Sequence, residues 1–156
     1  MSHAQTSTRA AEQTQASRLA RLRMSSLGAV AMLIIEFILG IVYNLYGTAP
    51  TAKKSIGLFS SPVIALHVIV AILLVIAAVG QLIRAIGTRH RLTIWMSAVG
   101  LAGILAAGFA GVGFAGNGAA GASLGMALAF AVSLAAYVVL VFALPSSSTT
   151  PPSSTT

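Results

Sequence analysis

Few side chains in this sequence can bind or transfer a proton, and two of them fall inside long apolar runs. Glu36 lies within the run 27–46, and a charged group at mid-bilayer depth costs on the order of 3 kcal/mol. We therefore expect Glu36 to face the interior of a helix bundle. It would act there either as a carboxylate that binds a proton or cation, or as a neutral acid hydrogen-bonded to a neighbouring helix.

His67 follows in the second apolar run, on the helix face that also carries Gln81. Counted from the same membrane surface, His67 is level with Gly40 and Tyr43, and Glu36 lies about 8 Å deeper, too far for direct contact without a water or a helix shift. His67 is expected to be a hydrogen-bonded structural histidine or part of a polar layer. The predicted intramembrane polar site comprises Glu36, Tyr43, Asn44, His67, Asn117 and Ser123.

Haem binding through His67 is an alternative, because a histidine within a membrane helix can ligate haem iron. Bis-histidine ligation needs two imidazoles at one depth, and the other histidines are His3, near the N-terminus, and His90, between the second and third runs. Only two His67 side chains of a dimer could ligate one haem. One histidine and one distant carboxylate do not make a metal shell, so no cofactor and no metal are predicted.

Catalytic motifs are absent from the sequence. It contains no cysteine, no nucleophile motif and no paired carboxylates. The glycine-rich stretch 108–121 lies in an apolar context without basic residues, unlike a phosphate-binding loop. A non-enzymatic protein is therefore the favoured interpretation.

The elements that must position these residues are long apolar helices. The 156 residues are 57% hydrophobic and 7% charged, with a mean hydropathy of +0.95. So few charges could not cover the surface of a soluble domain, where about 25% is usual. At about 1.5 Å per residue, each apolar run spans the roughly 30 Å hydrocarbon core. The predicted fold is an all-α integral membrane four-helix bundle, up-down-up-down, with helices at about 27–46, 62–86, 92–115 and 119–144.

Polar segments flank this predicted domain, 27–144. Residues 1–26 form a basic N-terminal segment, and the Pro/Ser/Thr-rich tail 145–156 is expected to be disordered because it has nothing to bury. The net charge of +7 arises in the gaps between apolar runs. Such clustering favours a role in topology and in contact with the lipid bilayer, and no nucleic acid is expected as a partner.

The distribution of basic residues predicts the orientation. The first loop carries Lys53 and Lys54, and the third loop carries no basic residue. The positive-inside rule therefore places both termini in the cytoplasm of a multi-pass plasma-membrane protein. The arginines predicted to contact lipid headgroups are Arg18, Arg21, Arg23, Arg84, Arg89 and Arg91.

Small residues on one side of the third run predict close helix packing. Lipid is as apolar as leucine, so membrane helices associate where small side chains let backbones approach. The contact is expected within one bundle, with dimerisation through the third helix as the alternative. The predicted packing positions are Gly40, Gly100, Gly103, Ala107 and Gly111.

Most of 27–144 resembles a known group of proteins. The shared features are Glu36-Phe37-x-x-Gly40, Asn44-Leu45-Tyr46, Pro62 with His67 five residues later, Arg84-Ala85, and Ser123-x-x-Met126-Ala127. In this order they resemble small four-span integral membrane proteins of actinobacteria and some archaea. The resemblance implies a four-helix membrane fold and assigns no activity.

Three functions remain open on the sequence alone. The favoured one is a scaffold or accessory subunit that packs with copies of itself or with a larger membrane complex. The alternative is a proton, cation or small-solute transport element that uses Glu36 and the His67 layer. The third is a redox protein that binds haem or quinone through His67.

Overall fold

A computed structural model describes the backbone of residues 2–144 and the side chains of residues 13–144. Four helices account for most of this part: α1 (Ser2–Tyr46), α2 (Pro62–Thr88), α3 (Arg91–Asn117) and α4 (Ala120–Ala143). The predicted all-α four-helix class is confirmed. Each helix contains a stretch long and apolar enough to cross a membrane, by length and composition. The tail 145–156 lies outside the described residues.

Helix α1 is much longer than its apolar run. It has 45 residues and begins at Ser2, whereas the first predicted helix began at residue 27. The preceding stretch contains neither glycine nor proline before Gly28 and is rich in alanine, glutamine and arginine, which are good helix formers. The helix therefore continues out of the apolar region without interruption.

The other helix boundaries follow local signals. Ser61 caps α2, its hydroxyl accepting a hydrogen bond from the Ile64 amide at 3.3 Å, and Pro62 occupies the first turn, where a missing N–H costs nothing. Gly118 ends α3 with φ of 68°, a left-handed conformation that favours glycine. A Cβ at Gly118 would also overlap the carbonyl of Pro50, so the first loop packs on this turn.

The four helices form a ring in which each packs on its two neighbours: α1 on α2 and α4, and α3 on α2 and α4. Each helix turns an apolar face toward the inside of the ring, and the buried residues of all four helices meet there. The buried core includes Leu22, Leu33, Leu74, Ile104, Tyr137 and Leu140.

The closest approach between helices occurs where α3 presents glycine to α4. A Cβ at Gly100 would lie 2.7 Å from the ring of Tyr137, and one at Gly103 would overlap the Ser133 hydroxyl and lie 2.9 Å from the Ala129 carbonyl. Helices can approach so closely only where no side chain intervenes. This contact lies within one bundle.

The remaining predicted packing positions are looser. At Gly111 a Cβ would make ordinary contact with the Met126 sulfur at 3.5 Å, and Ala107 is half-buried. At Gly40 a Cβ would meet nothing within 4 Å. Gly40 therefore does not serve a close helix contact within the chain, and it leaves open space beside α1.

The two ends of the bundle differ in charge. The loop end consists of residues 47–61 and the α3–α4 turn, and it carries Lys53 and Lys54. The terminal end consists of the α2–α3 turn, the end of α4 and the adjoining part of α1. The arginines whose side chains the structure describes all belong to the terminal end: Arg18, Arg21, Arg23, Arg84, Arg89 and Arg91.

Candidate functional site

Glu36 of α1 and His67 of α2 are in direct contact. The imidazole Nδ1 lies 2.5 Å from the carboxylate Oε2. Glu36 is 7% exposed, whereas the side chain of His67 is 37% exposed. The pair therefore joins a buried carboxylate to an imidazole that remains accessible on one side.

The register of α1 against α2 explains how these side chains meet. Gln81 donates from Nε2 to the Ser26 hydroxyl at 2.7 Å, which sets these two residues at the same level. Gly40 lies fourteen residues after Ser26 on α1, and His67 lies fourteen residues before Gln81 on the antiparallel α2. The backbone of Gly40 is thus level with His67, as the sequence predicted. Glu36 lies one helical turn, about 6 Å, toward the terminal end.

The prediction that Glu36 and His67 are too far apart for contact is wrong. It counted the axial separation of the backbones and omitted the reach of the side chains, which together span one turn. Gly40, the position on α1 level with His67, is open, because a Cβ there would meet nothing within 4 Å.

The hydrogen-bonding capacity of the pair is not used up. Nδ1 and Oε2 have an ion-pair separation, but their angles do not satisfy hydrogen-bond geometry, and Glu36 Oε1 also has no partner. A buried carboxylate without a donor from backbone or side chain is costly, and the His67 imidazole is the polar group that the structure places against it.

The rest of the predicted polar cluster is not brought together. The Tyr43 hydroxyl donates to the carbonyl of Thr48 at 2.8 Å, and Asn117 Oδ1 accepts from the Ala119 amide at 3.0 Å. Asn44 is exposed, and Ser123 is half-buried with its backbone amide bonded to the Ala119 carbonyl. The side chains of Tyr43 and Asn117 therefore serve local turns, and no hydrogen bond of the described residues joins any of the four to His67.

A polar contact that the sequence did not predict links α1 to α2 nearer the terminal end. Gln81 is 1% exposed; its amide donates to Ser26, and its Oε1 accepts from the Ser25 hydroxyl at 3.3 Å. Ser26 in turn donates to the Leu22 carbonyl. Gln81 could have been found as a polar residue of the second apolar run, on the helix face of His67. Its serine partners could not, because a serine bonded to its own helix carries no distinctive sequence pattern.

Buried hydroxyls on α3 and α4 were also missed. Ser133 donates to the Ala129 carbonyl at 2.9 Å, and Thr93 contacts His90 Nδ1 at 3.0 Å. The hydroxyls of Ser97 and Tyr137 are buried without a partner. A buried hydroxyl without a protein partner is a usual site for an ordered water. Tyr137 could have been found as a tyrosine in mid-span, where it faces Gly100.

The described residues offer little for a metal or haem. They contain no group of three His, Cys, Asp or Glu side chains that could hold a metal ion. With Nδ1 of His67 directed at Glu36, Nε2 is the ring nitrogen left for another ligand. A carboxylate behind an imidazole is a common arrangement for a metal-binding histidine, but the described part of the chain brings no second ligand to His67.

One arginine of the terminal end has a defined structural role. The Arg23 guanidinium donates from Nε to the Val141 carbonyl at 2.9 Å, which ties α1 to the last turn of α4, where carbonyls lack helical partners. Arg84, Arg89 and Arg91 are exposed.

Comparisons with protein-family models, with curated proteins and with solved structures found no match for this chain.

Proposed function

We propose that this small multi-pass membrane protein binds protons at the Glu36–His67 pair. The observation that carries the proposal is the 2.5 Å separation between Nδ1 and Oε2, which joins the candidate membrane spans of α1 and α2. Ionisable side chains within membrane spans are energetically costly and rare, and those that occur commonly bind or move a proton or an ion. This favours the transport alternative over a purely structural role for Glu36.

The pair offers distinct states for proton binding. One proton held between Nδ1 and Oε2 serves both groups, and a second can reside on Oε1 or Nε2. Among the described side chains, Glu36 is the one acid, and no arginine or lysine lies within the apolar parts of α1 or α2 near the pair. The nearest phenols along α1 are those of Tyr43 and Tyr46. From α4, the ring of Phe130 stacks on that of Phe37, the residue after Glu36, with 5.2 Å between the ring centroids.

The asymmetry of charge supports an orientation for the protein. With its arginines at the terminal end, the positive-inside rule puts that end in the cytoplasm and the loop end outside. The same arginines would contact the headgroups of anionic lipids. In this orientation, in a plasma membrane, the pair lies closer to the outer surface.

Nitrogen-15 NMR of histidine-labelled protein in lipid nanodiscs tests proton binding. We expect the ring nitrogens of His67 to shift with pH, and the midpoint of that shift to change in Glu36→Gln, which keeps the shape but removes the ionisable group. His67→Asn assigns the resonance, and His90→Asn is the control that leaves it in place. A His67 midpoint that is identical in wild type and Glu36→Gln would contradict the proposal.

An accessory or scaffold role is the second candidate, and one observation favours it. α1 continues for about 25 residues beyond its apolar run, and side chains 13–18 on this extension are exposed. The exposed segment 13–18 suits contact with another protein, whereas from Leu22 onward α1 packs in the bundle. A scaffold tolerates Glu36→Gln without loss of association, which separates this role from proton binding.

A further inference from the structure

The loop end contains a cavity whose lining on α2 begins at Val63, four residues before His67. Its volume is about 440 Å³, within the range of small-molecule pockets. It lies between the end of α1, the first loop and the start of α2. The lining residues that matter here are Tyr43 of α1, Lys54 of the loop and Val63 of α2.

Both helices lead from this cavity to the pair. On α2, Val63 is one helical turn above His67 on the same face, a rise of about 6 Å. On α1, Gly40 lies between Tyr43 and Glu36, spaced three residues from one and four from the other. A Cβ at Gly40 would meet nothing within 4 Å, so this position between the cavity and the pair is open.

The opposite direction along the same two helices is closed by apolar side chains. Between Glu36 and Ser26 the buried residues of α1 are Ala29 and Leu33, and between His67 and Gln81 those of α2 are Leu74 and Ala78; each is at most 3% exposed. Ser133, which lies deeper on α4, already donates its hydroxyl to its own helix. α1 and α2 therefore offer no relay from the pair toward the terminal end.

From this asymmetry we infer that the Glu36–His67 pair takes up its proton from water at the loop end, through the cavity and past Gly40. The inference rests on the proposed proton-binding function and specifies its access. A hydronium ion in the water of the cavity gives its proton to Oε2 or Nδ1 and becomes a water molecule; no other bond is formed or broken.

Cysteine accessibility tests this route independently of proton binding. The chain contains no cysteine, so Gly40→Cys in nanodiscs carries a unique thiol. We expect a water-soluble thiosulfonate to modify it more than about tenfold faster than the thiol of Ala78→Cys, since modification follows access of the reagent to the thiolate. An anionic reagent should react faster than a cationic one, because Lys54 lies at the cavity.

Blocking variants identify the end from which the reagent arrives. Val63→Trp fills the cavity and should slow modification of Gly40→Cys, whereas Gly87→Trp, at an equally open glycine of α2 near the terminal end, should not. An unreactive Gly40→Cys, equal rates at residues 40 and 78, or slowing by Gly87→Trp alone would overturn the route. If Gly40→Cys reacts as expected while the His67 resonance ignores Glu36→Gln, the route stands and proton binding fails.

Discussion

Gly103→Ala is expected to destabilise the bundle by about 1–3 kcal/mol, the usual cost of overpacking a tight contact. The added methyl group would overlap the Ser133 hydroxyl and lie 2.9 Å from the Ala129 carbonyl. The hydroxyl can rotate, but the carbonyl belongs to the backbone of α4, so relief requires the helices to separate. Thermal unfolding in detergent, followed by circular dichroism, measures the change.

Gly108→Ala is the matched control for this substitution. It makes the same chemical change on the same helix, where a Cβ would meet nothing within 4 Å, and alanine is the better helix former. Its stability should equal or exceed that of the wild type. Equal losses at residues 103 and 108 would show that the α3–α4 contact is not the cause.

The second large effect is expected from separating Glu36 from His67. His67→Leu removes the ion-pair partner of the buried Glu36 carboxylate. It should lower the unfolding free energy by about 1–3 kcal/mol, the usual penalty for a buried polar group left unsatisfied. Adding Glu36→Leu removes that group, and replacement of both members of a buried pair is commonly neutral or stabilising. The double variant should therefore be at least as stable as the wild type.

Unfolding in mixed micelles with dodecyl sulfate measures these differences. Ile69→Leu, at an exposed position of α2, is the control for a new leucine on that helix and should change nothing. Additive losses in the double variant would mean that the two side chains are not energetically coupled, which the 2.5 Å contact does not allow.

The fold followed from the sequence because each span is defined by its own apolar length. The boundaries of α2, α3 and α4 lie within two residues of the predicted ones, and Pro62 and Gly118 are local signals for two of them. The start of α1 did not follow, because hydropathy marks where a helix enters the membrane and says nothing about where a polar helix begins.

The candidate site was predicted in its members but not in its pairing. Glu36 and His67 were identified individually because polar residues in apolar runs are conspicuous. Their contact depends on the reach of the two side chains across one helical turn. The sequence prediction counted only the depth of each backbone position and therefore missed it. Tyr43, Asn44, Asn117 and Ser123 were assigned to the same layer by depth alone, and their side chains found nearer partners or solvent.

The central claim, that Glu36 holds a proton beside His67, is tested most directly by infrared titration. The sequence has two acidic side chains, Glu12 and Glu36, so in a Glu12→Gln background the carboxylic-acid C=O band of a side chain belongs to Glu36. We predict a band that appears and disappears with pH, shifts in His67→Gln and is absent in Glu36→Gln. A band that is unchanged at every pH, or unaffected by His67→Gln, would contradict the account.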